Sequence, residues 1–356
     1  MITSLRLQQF RSYGDESFEF EPMINIVVGP NAVGKTNLLE AILVLAQGGS
    51  YRAADNELVR FGKPWSRLDG YFGSQKRALK LERGPGSEKT RKQLIIDGRE
   101  YSRLSLDLTV PVVVFEPTNL QQLTRGPEQR RELIDGLLLG SRAGFKGLKN
   151  HYLRALAQRN RLLKNPRFNA NELFAWDVRL CELGEQIAQA REALVTELNQ
   201  NIAAVYSSIA NKKSHVEVSY RSGFNVAQYS SLMLKKLKTN HALDVERGFT
   251  GCGPHREDIV FELNGEPVES AASRGETRSL TLAIKVFELQ KQQAARGKKP
   301  IFLLDDVFSE LDSARRRALV SYLKNQQTII TTTDADAVTE YFLKKAYHII
   351  PINSKN

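Results

Sequence analysis

Residues 29–36 read GPNAVGKT and match the pattern G-x-x-x-x-G-K-[ST] of a phosphate-binding loop. An apolar run over 24–28 precedes the loop and another over 38–46 follows it, which is the strand–loop–helix order that the motif requires. In such a loop the backbone N–H groups face the phosphates, the lysine reaches the β and γ oxygens, and the threonine hydroxyl binds Mg²⁺. An ordinary glycine turn is the alternative. The motif predicts a site for ATP and Mg²⁺ formed by Gly29, Pro30, Asn31, Ala32, Val33, Gly34, Lys35 and Thr36.

A second half of this site is expected at residues 301–306, where four apolar residues lead into Asp305 and Asp306. A Walker B strand ends in this way because its aspartate must reach the metal, so Asp305 is expected to hold Mg²⁺ through water. Asp306 is expected to orient or deprotonate the attacking water, with Glu310 as the alternative. Lys35 and Asp306 are therefore the predicted catalytic residues. On its own the pattern also fits a plain strand end, and the phosphate loop favours the metal site.

A small polar turn at 272–279 opens another apolar helix, whose N-terminus would suit an anion. Ser273 and Glu276 also fit a capping box, S-x-x-E, which is the alternative interpretation. The chain continues with a helix, the Walker B strand and Ser-Glu-Leu-Asp at 309–312, which is the order of signature helix, Walker B and D-loop in an ABC-type ATPase. This order favours nucleotide contacts from Ser273, Gly275 and Glu276.

The elements that must position these motifs change along the chain. Up to about residue 115, strand-like runs with glycine and proline turns at 84–86 and 97–98 indicate an α/β region. From about 128 to 212, apolar spacings of three and four predict one long helix over 172–209 and a partner helix that ends at Asn165-Pro166. Strand signals return after about 245, with a turn at 264–265, a helix over 276–294 and a strand over 301–304.

The predicted fold class is α/β, an ABC-type ATPase head of mixed sheets and helices interrupted by an α-helical arm. The two halves of the head are placed at 1–125 and 245–356, and the antiparallel helical arm at 126–244. A length of 356 residues suits such a domain with a large insertion.

Charge points to a polyanionic partner, because 51 basic and 40 acidic residues give a net charge of +11. No apolar run is long enough to span a membrane, and the first residues do not resemble a signal peptide, so we expect a cytoplasmic protein without a membrane partner. The two cysteines, Cys181 and Cys252, and five scattered histidines argue against a disulfide framework and structural zinc.

The stretch between Gly136 and Asn171 contains no acidic residue and eight basic ones: Arg142, Lys146, Lys149, Arg154, Arg159, Arg161, Lys164 and Arg167. A solvated helix normally mixes charge signs, so this stretch is predicted to follow a DNA backbone through Arg154, Arg159, Arg161 and Lys164. A merely soluble face or a protein-binding surface is the alternative. A second basic cluster on strands is a further candidate for DNA contact, with a solvated surface as the alternative: it comprises Lys76, Arg77, Lys80, Arg83, Lys89, Arg91 and Lys92.

Together these motifs resemble the RecF family of bacterial DNA-repair ATPases, short relatives of the SMC proteins within the ABC ATPase class. Seven further segments carry the resemblance: NLLEAI at 37–42, SYR at 50–52 with DNEL at 55–58, VVVFEP at 112–117, GP at 126–127 with Arg130 and Arg131, YLRALAQRN at 152–160, GPHRED at 253–258 and LDDVFSELD at 304–312.

The resemblance implies a weak, DNA-stimulated ATPase that serves as a conformational switch. It implies an ATP-dependent homodimer in which Ser273, Gly275 and the D-loop of one subunit complete the other's nucleotide site. Single-stranded DNA and duplex or gap junctions are the implied ligands. RecR and RecO are the implied partners in recombinase loading and the SOS response.

This chain departs from the family pattern in its signature, where Glu276 replaces the commoner glutamine. As in the family, the strand at 328–332 is followed by Thr333 and Asp334 rather than by the switch histidine of most ABC proteins, which implies slow hydrolysis. Arg52 resembles an arginine that faces nucleotide or DNA in SMC-like heads, with an ion pair to Asp55 or Glu57 as the alternative. Whether Gln121 or Gln122 is a Q-loop residue stays open.

Two other classes share some of these motifs. An ABC-transporter subunit has a P-loop and signature, but here Lys35 and Asp305 are separated by much more than one domain-sized unit. A P-loop kinase for a small molecule is the second alternative, and the long basic stretch without acidic residues argues against it.

Overall fold

The computed structural model of the chain describes residues 1–84, 90–165, 169–323, 326–342 and 346–353. Two compact units are formed, one by Met1–Asn119 with Ile284–Asn356 and the other by Leu120–Ala283, and we call them the first and second units. In chain order the elements are β1 (Ile2–Phe10), β2 (Tyr13–Glu19), β3 (Ile24–Val28), α1 (Lys35–Gln47), α2 (Asp55–Leu58), β4 (Trp65–Phe72), β5 (Gln75–Arg83), β6 (Thr90–Ile96), β7 (Arg99–Tyr101), β8 (Val112–Phe115), α3 (Pro127–Ser141), α4 (Phe145–Leu163), α5 (Ala170–Ala210), β9 (Val216–Arg221), α6 (Tyr229–Thr239), α7 (His241–Arg247), β10 (Asp258–Leu263), β11 (Glu266–Pro267), α8 (Val268–Ala271), α9 (Arg274–Arg296), β12 (Ile301–Asp305), α10 (Val307–Glu310), α11 (Ser313–Tyr322), β13 (Thr328–Thr332), α12 (Asp336–Thr339) and β14 (Tyr347–Pro351).

A parallel sheet with the strand order β14-β3-β13-β12-β8 lies in the first unit. Its strands β3, β12 and β13 are almost wholly buried, as expected for apolar, β-branched runs in a sheet covered on both faces. Parallel strands all end at one edge, so the residues at their carboxyl ends meet there. These residues are the phosphate loop after β3, Asp305 and Asp306 at the end of β12, and Glu116 after β8.

The other sheet of the first unit is antiparallel, in the order β2-β1-β4-β5-β6-β7. Helix α1 packs between the two sheets, and its residues 38–46 are all buried. Ile42 of this helix shares one core with Leu5 and Leu68 of the antiparallel sheet and Leu303 of the parallel sheet. A helix that is apolar all round is stable only where it is covered all round. The predicted apolar helix after the phosphate loop is confirmed.

Helices dominate the second unit, and the longest of them is α5, with 41 residues. It confirms the long helix predicted over 172–209, and α4 confirms its partner. Leu162 of α4 packs in one cluster with Leu173 of α5, and Arg159, one turn earlier in α4, bonds Asp177, one turn later in α5. Residues farther back in α4 thus meet residues farther on in α5, which is the pattern of an antiparallel helix pair. Among the helices that the structure describes, none is long and apolar enough to cross a membrane.

A small sheet in the order β11-β10-β9 belongs to the second unit as well. Asn264 and Gly265 form the tight turn between β10 and β11, with φ of 54° and 86°, which confirms the predicted hairpin turn. The predicted return to the head at residue 245 is wrong, because β10 pairs antiparallel with β9, which comes before that point. Residues 245–283 belong to the second unit.

Candidate nucleotide site

The phosphate loop joins the end of β3 to the start of α1. Gly34 adopts a φ of 113°, and a Cβ there would lie 2.7 Å from the Ser12 hydroxyl oxygen, so only glycine fits without strain. Gly29 is equally constrained, since a Cβ would come within 2.4 Å of the Ile352 carbonyl oxygen. The first turn of α1 leaves backbone N–H groups without helical partners, and these donors suit a phosphate.

Lys35 begins α1 and is buried. Its Nζ donates to the carbonyl oxygens of Gly29 at 2.9 Å and Pro30 at 3.0 Å. An Asp306 carboxylate oxygen lies 3.9 Å from the same nitrogen. The ammonium is thus held within the loop, where it can exchange carbonyl oxygens for phosphate oxygens.

Thr36 and Asp305 meet although they are far apart in sequence. The Thr36 hydroxyl lies 2.9 and 3.0 Å from the two carboxylate oxygens of Asp305. Thr331, at the end of the neighbouring strand β13, donates to Asp305 Oδ1 at 3.0 Å. A hydroxyl and a carboxylate are hard oxygen donors of the kind that Mg²⁺ takes, so the residues present fit this metal.

Asp306 follows β12 in a left-handed conformation, with a φ of 51°. Its amide donates to the Thr331 hydroxyl at 2.9 Å, which fixes the turn. Burial, opposed by the Lys35 ammonium and reinforced by Asp305, raises the pKa of the Asp306 carboxyl. A non-glycine residue held at positive φ and carrying a carboxylate of raised pKa is a candidate general base. Glu310, the alternative, lies exposed at the end of α10.

Arg52 and Glu116 join this site, and Glu116 was not predicted. The Arg52 Nη2 donates to Asp305 Oδ2 at 3.1 Å and also to the Glu116 carboxylate, which accepts a further bond from the Tyr51 hydroxyl. The alternative ion pair of Arg52 with Asp55 or Glu57 is wrong, since Asp55 pairs with Lys92 and Glu57 accepts from the Ala54 amide. Glu116 directly follows the apolar strand β8, and a carboxylate at the end of an apolar run was the signal available in the sequence.

The segment that carries Arg52 is anchored through Glu40 of α1. This buried carboxylate accepts two bonds from Arg11, at 2.8 and 3.0 Å, and one from the Ser50 hydroxyl at 2.6 Å. Ser50 in turn accepts from the Arg52 amide at 2.9 Å. The backbone at residues 50–52 is therefore fixed beside the metal-binding carboxylate.

The signature residues lie at the start of α9, in the second unit. Ser273 and Glu276 form a reciprocal capping box: the hydroxyl of Ser273 lies 2.8 Å from Glu276 Oε2 and accepts from the Glu276 amide at 3.2 Å. Hydrogen bonds from the amide and hydroxyl of Ser273 lower the pKa of Glu276. The helix cap is thus formed, while contact of Ser273, Gly275 and Glu276 with nucleotide stays a prediction.

The predicted DNA residues of α4 and its C-terminal end are divided by burial. Arg154, Arg161 and Lys164 are exposed. Arg159 is 0% exposed, and its guanidinium donates to Asp177 at 2.6 Å, Asp244 at 2.8 Å and the Thr250 hydroxyl at 2.8 Å. The prediction that Arg159 contacts DNA is therefore wrong, because acids from other elements enclose it. Arg167 lies outside the described residues.

The second basic cluster is divided in the same way. Arg77 is buried and donates to the carbonyl oxygens of Ala46 and Leu108, and burial lowers its pKa to about 10. Arg83 likewise donates to backbone carbonyls. Lys92 is half-exposed and pairs with Asp55. Lys76 and Arg91 are exposed and Lys80 is half-exposed, and Lys89 lies outside the described part of the chain.

Comparison with known proteins gives a consistent result. A family model described as an AAA domain matches residues 4–215. The DNA replication and repair protein RecF of Heliobacterium modesticaldum is 34% identical, over 97% of this chain and 95% of its own. A solved structure of the recombination mediator protein RecF-ATP in the RecFOR pathway has a TM-score of 0.80 at 26% identity, covering 94% of this chain and 92% of the other.

The fold also occurs outside these relatives. A solved Smc head bound to the C-winged helix domain of ScpA is 15% identical, with a TM-score of 0.53, and the match covers 95% of this chain and 91% of that one. At this identity the likeness concerns the fold alone. It confirms the predicted α/β fold class of an ABC-type ATPase head.

Proposed function

The chain belongs to the RecF family of DNA replication and repair proteins, and on this premise we propose that it is an ATP-dependent DNA-binding protein with an ATPase head. Membership in this family argues against the transporter subunit and the small-molecule kinase. The observation that carries the proposal is the convergence of Lys35, Thr36, Asp305 and Asp306 at the mouth of one phosphate loop.

The proposed ATP site divides its work among these four residues. Lys35 releases the carbonyl oxygens of the loop and binds the β and γ phosphate oxygens. Thr36 and Asp305 hold Mg²⁺, which when bound draws charge from the phosphate oxygens. Asp306 orients the attacking water and accepts its proton, a role that its raised pKa favours.

We further propose that two chains dimerise on ATP, with the α9 N-terminus of each chain completing the other's site. Ser273 and Gly275 would offer a hydroxyl and backbone N–H groups to the γ-phosphate, at the positive end of a 23-residue helix. For the Ser273 hydroxyl to reach a phosphate, the Glu276 carboxylate would have to break its hydrogen bonds to Ser273 or remain beside a group of the same charge. Slow hydrolysis is expected because Thr333 and Asp334 follow β13 where most ABC proteins carry a switch histidine, and it suits a switch-like use of ATP.

The DNA-binding part of the proposal is supported by the exposed charges of Arg154, Arg161 and Lys164. Single-stranded DNA and duplex or gap junctions are the proposed ligands, bound through phosphates. As a RecF-family member, the chain would act in the cytoplasm with RecR and RecO, and aid recombinase loading and the SOS response. DNA would stimulate its weak ATPase activity.

Sedimentation of the chain with and without ATP and a gapped duplex tests this proposal. We expect a dimer on DNA only when ATP is present. Ser273→Arg should not dimerise with itself, because bulk and positive charge would occupy the partner's γ-phosphate position. ATP-dependent dimers of Ser273→Arg would instead show that residues 273–276 are only a helix cap.

A further inference from the structure

Two buried carboxylates share one cation beside the phosphate loop. The Arg52 guanidinium lies between Asp305, at 3.1 Å, and Glu116, and the Tyr51 hydroxyl bonds the other oxygen of Glu116. The side chains of Glu116 and Asp305 are only 12% and 7% exposed. Their closeness follows from strand register, since Phe115 of β8 pairs with Leu304 of β12 and each carboxylate comes one residue later.

The Arg52 guanidinium lies within ion-pair distance of both Asp305 and Glu116 and offsets their negative charge. Two carboxylates at close range in a poorly solvated site repel each other unless a cation lies between them. Lys35, the other nearby cation, is bonded to backbone carbonyl oxygens and lies next to Asp306. The guanidinium therefore holds the position from which a cation can contact both Asp305 and Glu116.

We propose that Asp305 and Glu116 together form a divalent-cation site and that Arg52 occupies it until the metal arrives. The inference rests on the proposed ATP site, which already assigns Mg²⁺ to Thr36 and Asp305, and adds Glu116 as a further carboxylate. Carboxylate and hydroxyl oxygens are the donors that Mg²⁺ and Mn²⁺ prefer. A divalent cation and a guanidinium repel each other in so confined a space, so one must displace the other.

Displacement of Arg52 is possible without disturbing the core. Its side chain is 24% exposed, whereas Ser50 two residues earlier is tied to the buried Glu40. The guanidinium can move toward solvent while the backbone of the segment stays anchored. Metal loading would thus free one arginine side chain at the rim of the nucleotide site.

Binding of Mn²⁺ to the nucleotide-free chain tests the proposal, with the free ion measured by electron paramagnetic resonance. Arg52→Met leaves two uncompensated carboxylates, so it should bind one Mn²⁺ about tenfold more tightly than the parent. Arg52→Met combined with Glu116→Gln should lose most of that gain. Arg67→Met is the matched control, because Arg67 pairs with Asp69 on β4 and its loss changes the net charge equally.

Thermal unfolding provides a second readout. Arg52→Met should melt below the parent without metal and should be stabilised by Mn²⁺ more than the parent. If that variant does not fold, Glu116→Gln alone should bind Mn²⁺ several-fold more weakly than the parent. Equal Mn²⁺ affinity in Arg52→Met and parent, or in Glu116→Gln and parent, would overturn the inference.

These outcomes are separate from the failure of the ATP site itself. A parent chain that binds no ATP contradicts the proposed function, whatever the Mn²⁺ titrations give. A parent that binds ATP through Lys35 while Arg52→Met gains no Mn²⁺ affinity contradicts only the inference.

Discussion

At the edge of the parallel sheet in the first unit, Lys35 is held by backbone carbonyls and Asp306 keeps a side chain that is 36% exposed. In the second unit, by contrast, Arg159 is enclosed by Asp177 and Asp244, and Arg130 by Asp258 and Glu269. Both regions place basic side chains beside acidic ones. In the first unit the polar groups can exchange their partners for a ligand, whereas in the second the ion pairs are completed by the fold.

The difference shows that a run of basic residues in the sequence does not by itself form a positively charged surface in the folded protein. The stretch around α4 contains no acidic residue, yet Arg159 forms ion pairs with Asp177 of α5 and Asp244 of α7. Lys149 likewise forms an ion pair with Asp135 of α3. A buried ion pair needs partners and hydrogen bonds to offset desolvation, and here other elements supply them. Exposure after folding decides which basic residues can contact DNA.

The largest effect is expected at Asp306. Asp306→Asn should still bind ATP but hydrolyse it about 10² to 10⁴ times more slowly, because the water loses its orienting carboxylate. The closed dimer, and with it the grip on DNA, should last longer, since the trapped state binds more tightly. Single-turnover hydrolysis and nucleotide binding measure the two parts separately.

Asp305→Asn is the matched variant and should instead weaken Mg²⁺-ATP binding. Hydrolysis by Asp306→Asn at the parent rate would contradict the assignment of Asp306 as the general base. Glu310 would then be the candidate for that role.

The enclosed pairs of the second unit should contribute to stability and not to ligand binding. Arg159→Met leaves Asp177 and Asp244 buried without their cation, and should lower the free energy of unfolding by about 3–5 kcal/mol. Urea denaturation of the full chain measures this. Arg154→Met, on the exposed face of the same helix, should cost less than about 0.5 kcal/mol. Equal losses in the two variants would remove the distinction between the regions.

A second test of the enclosed region uses pH. His255 accepts from the Tyr152 hydroxyl at 2.7 Å, and burial, partly offset by the Thr250 carbonyl, lowers the pKa of His255 to about 4. The unfolded chain binds the proton near pH 6.5, so stability is complete above that value and is lost as the pH falls toward 4. The loss amounts to about 3 kcal/mol.

Urea denaturation between pH 7 and 4 measures this dependence, and His255→Gln is the control that should remove it. A parent and control with parallel pH profiles would show that His255 is not buried as a neutral ring.

The exposed basic face should give the smallest effect, and one that depends on salt. If Arg154, Arg161 and Lys164 each contact a phosphate, they account for roughly a 40-fold loss of DNA affinity between about 50 and 200 mM salt. Reversal of these three charges to glutamate should flatten the salt dependence by that amount. The matched control reverses Lys76, Lys80 and Arg91. Flattening by the control alone would move the DNA contact to the antiparallel sheet.

Much of the fold could be predicted because period and turn chemistry are local. The apolar spacing predicted α5 to within two residues of each end. Asn264-Gly265 identified the hairpin between β10 and β11. The boundary at 245 failed because β9 and β10 pair across α6 and α7, which no local pattern reveals. In the site, Lys35, Thr36 and Asp305 came from motifs, whereas Glu116 required knowing that β8 neighbours β12.

Titration of ATP into Lys35→Met tests the central claim most directly, because that claim is that the phosphate loop of the first unit is the nucleotide site. Removing the ammonium should weaken ATP binding by about 100-fold or more while the melting temperature stays near that of the parent. Lys63→Met, at an exposed position of the same unit, should bind ATP as the parent does. Near-parent affinity in Lys35→Met would contradict the account.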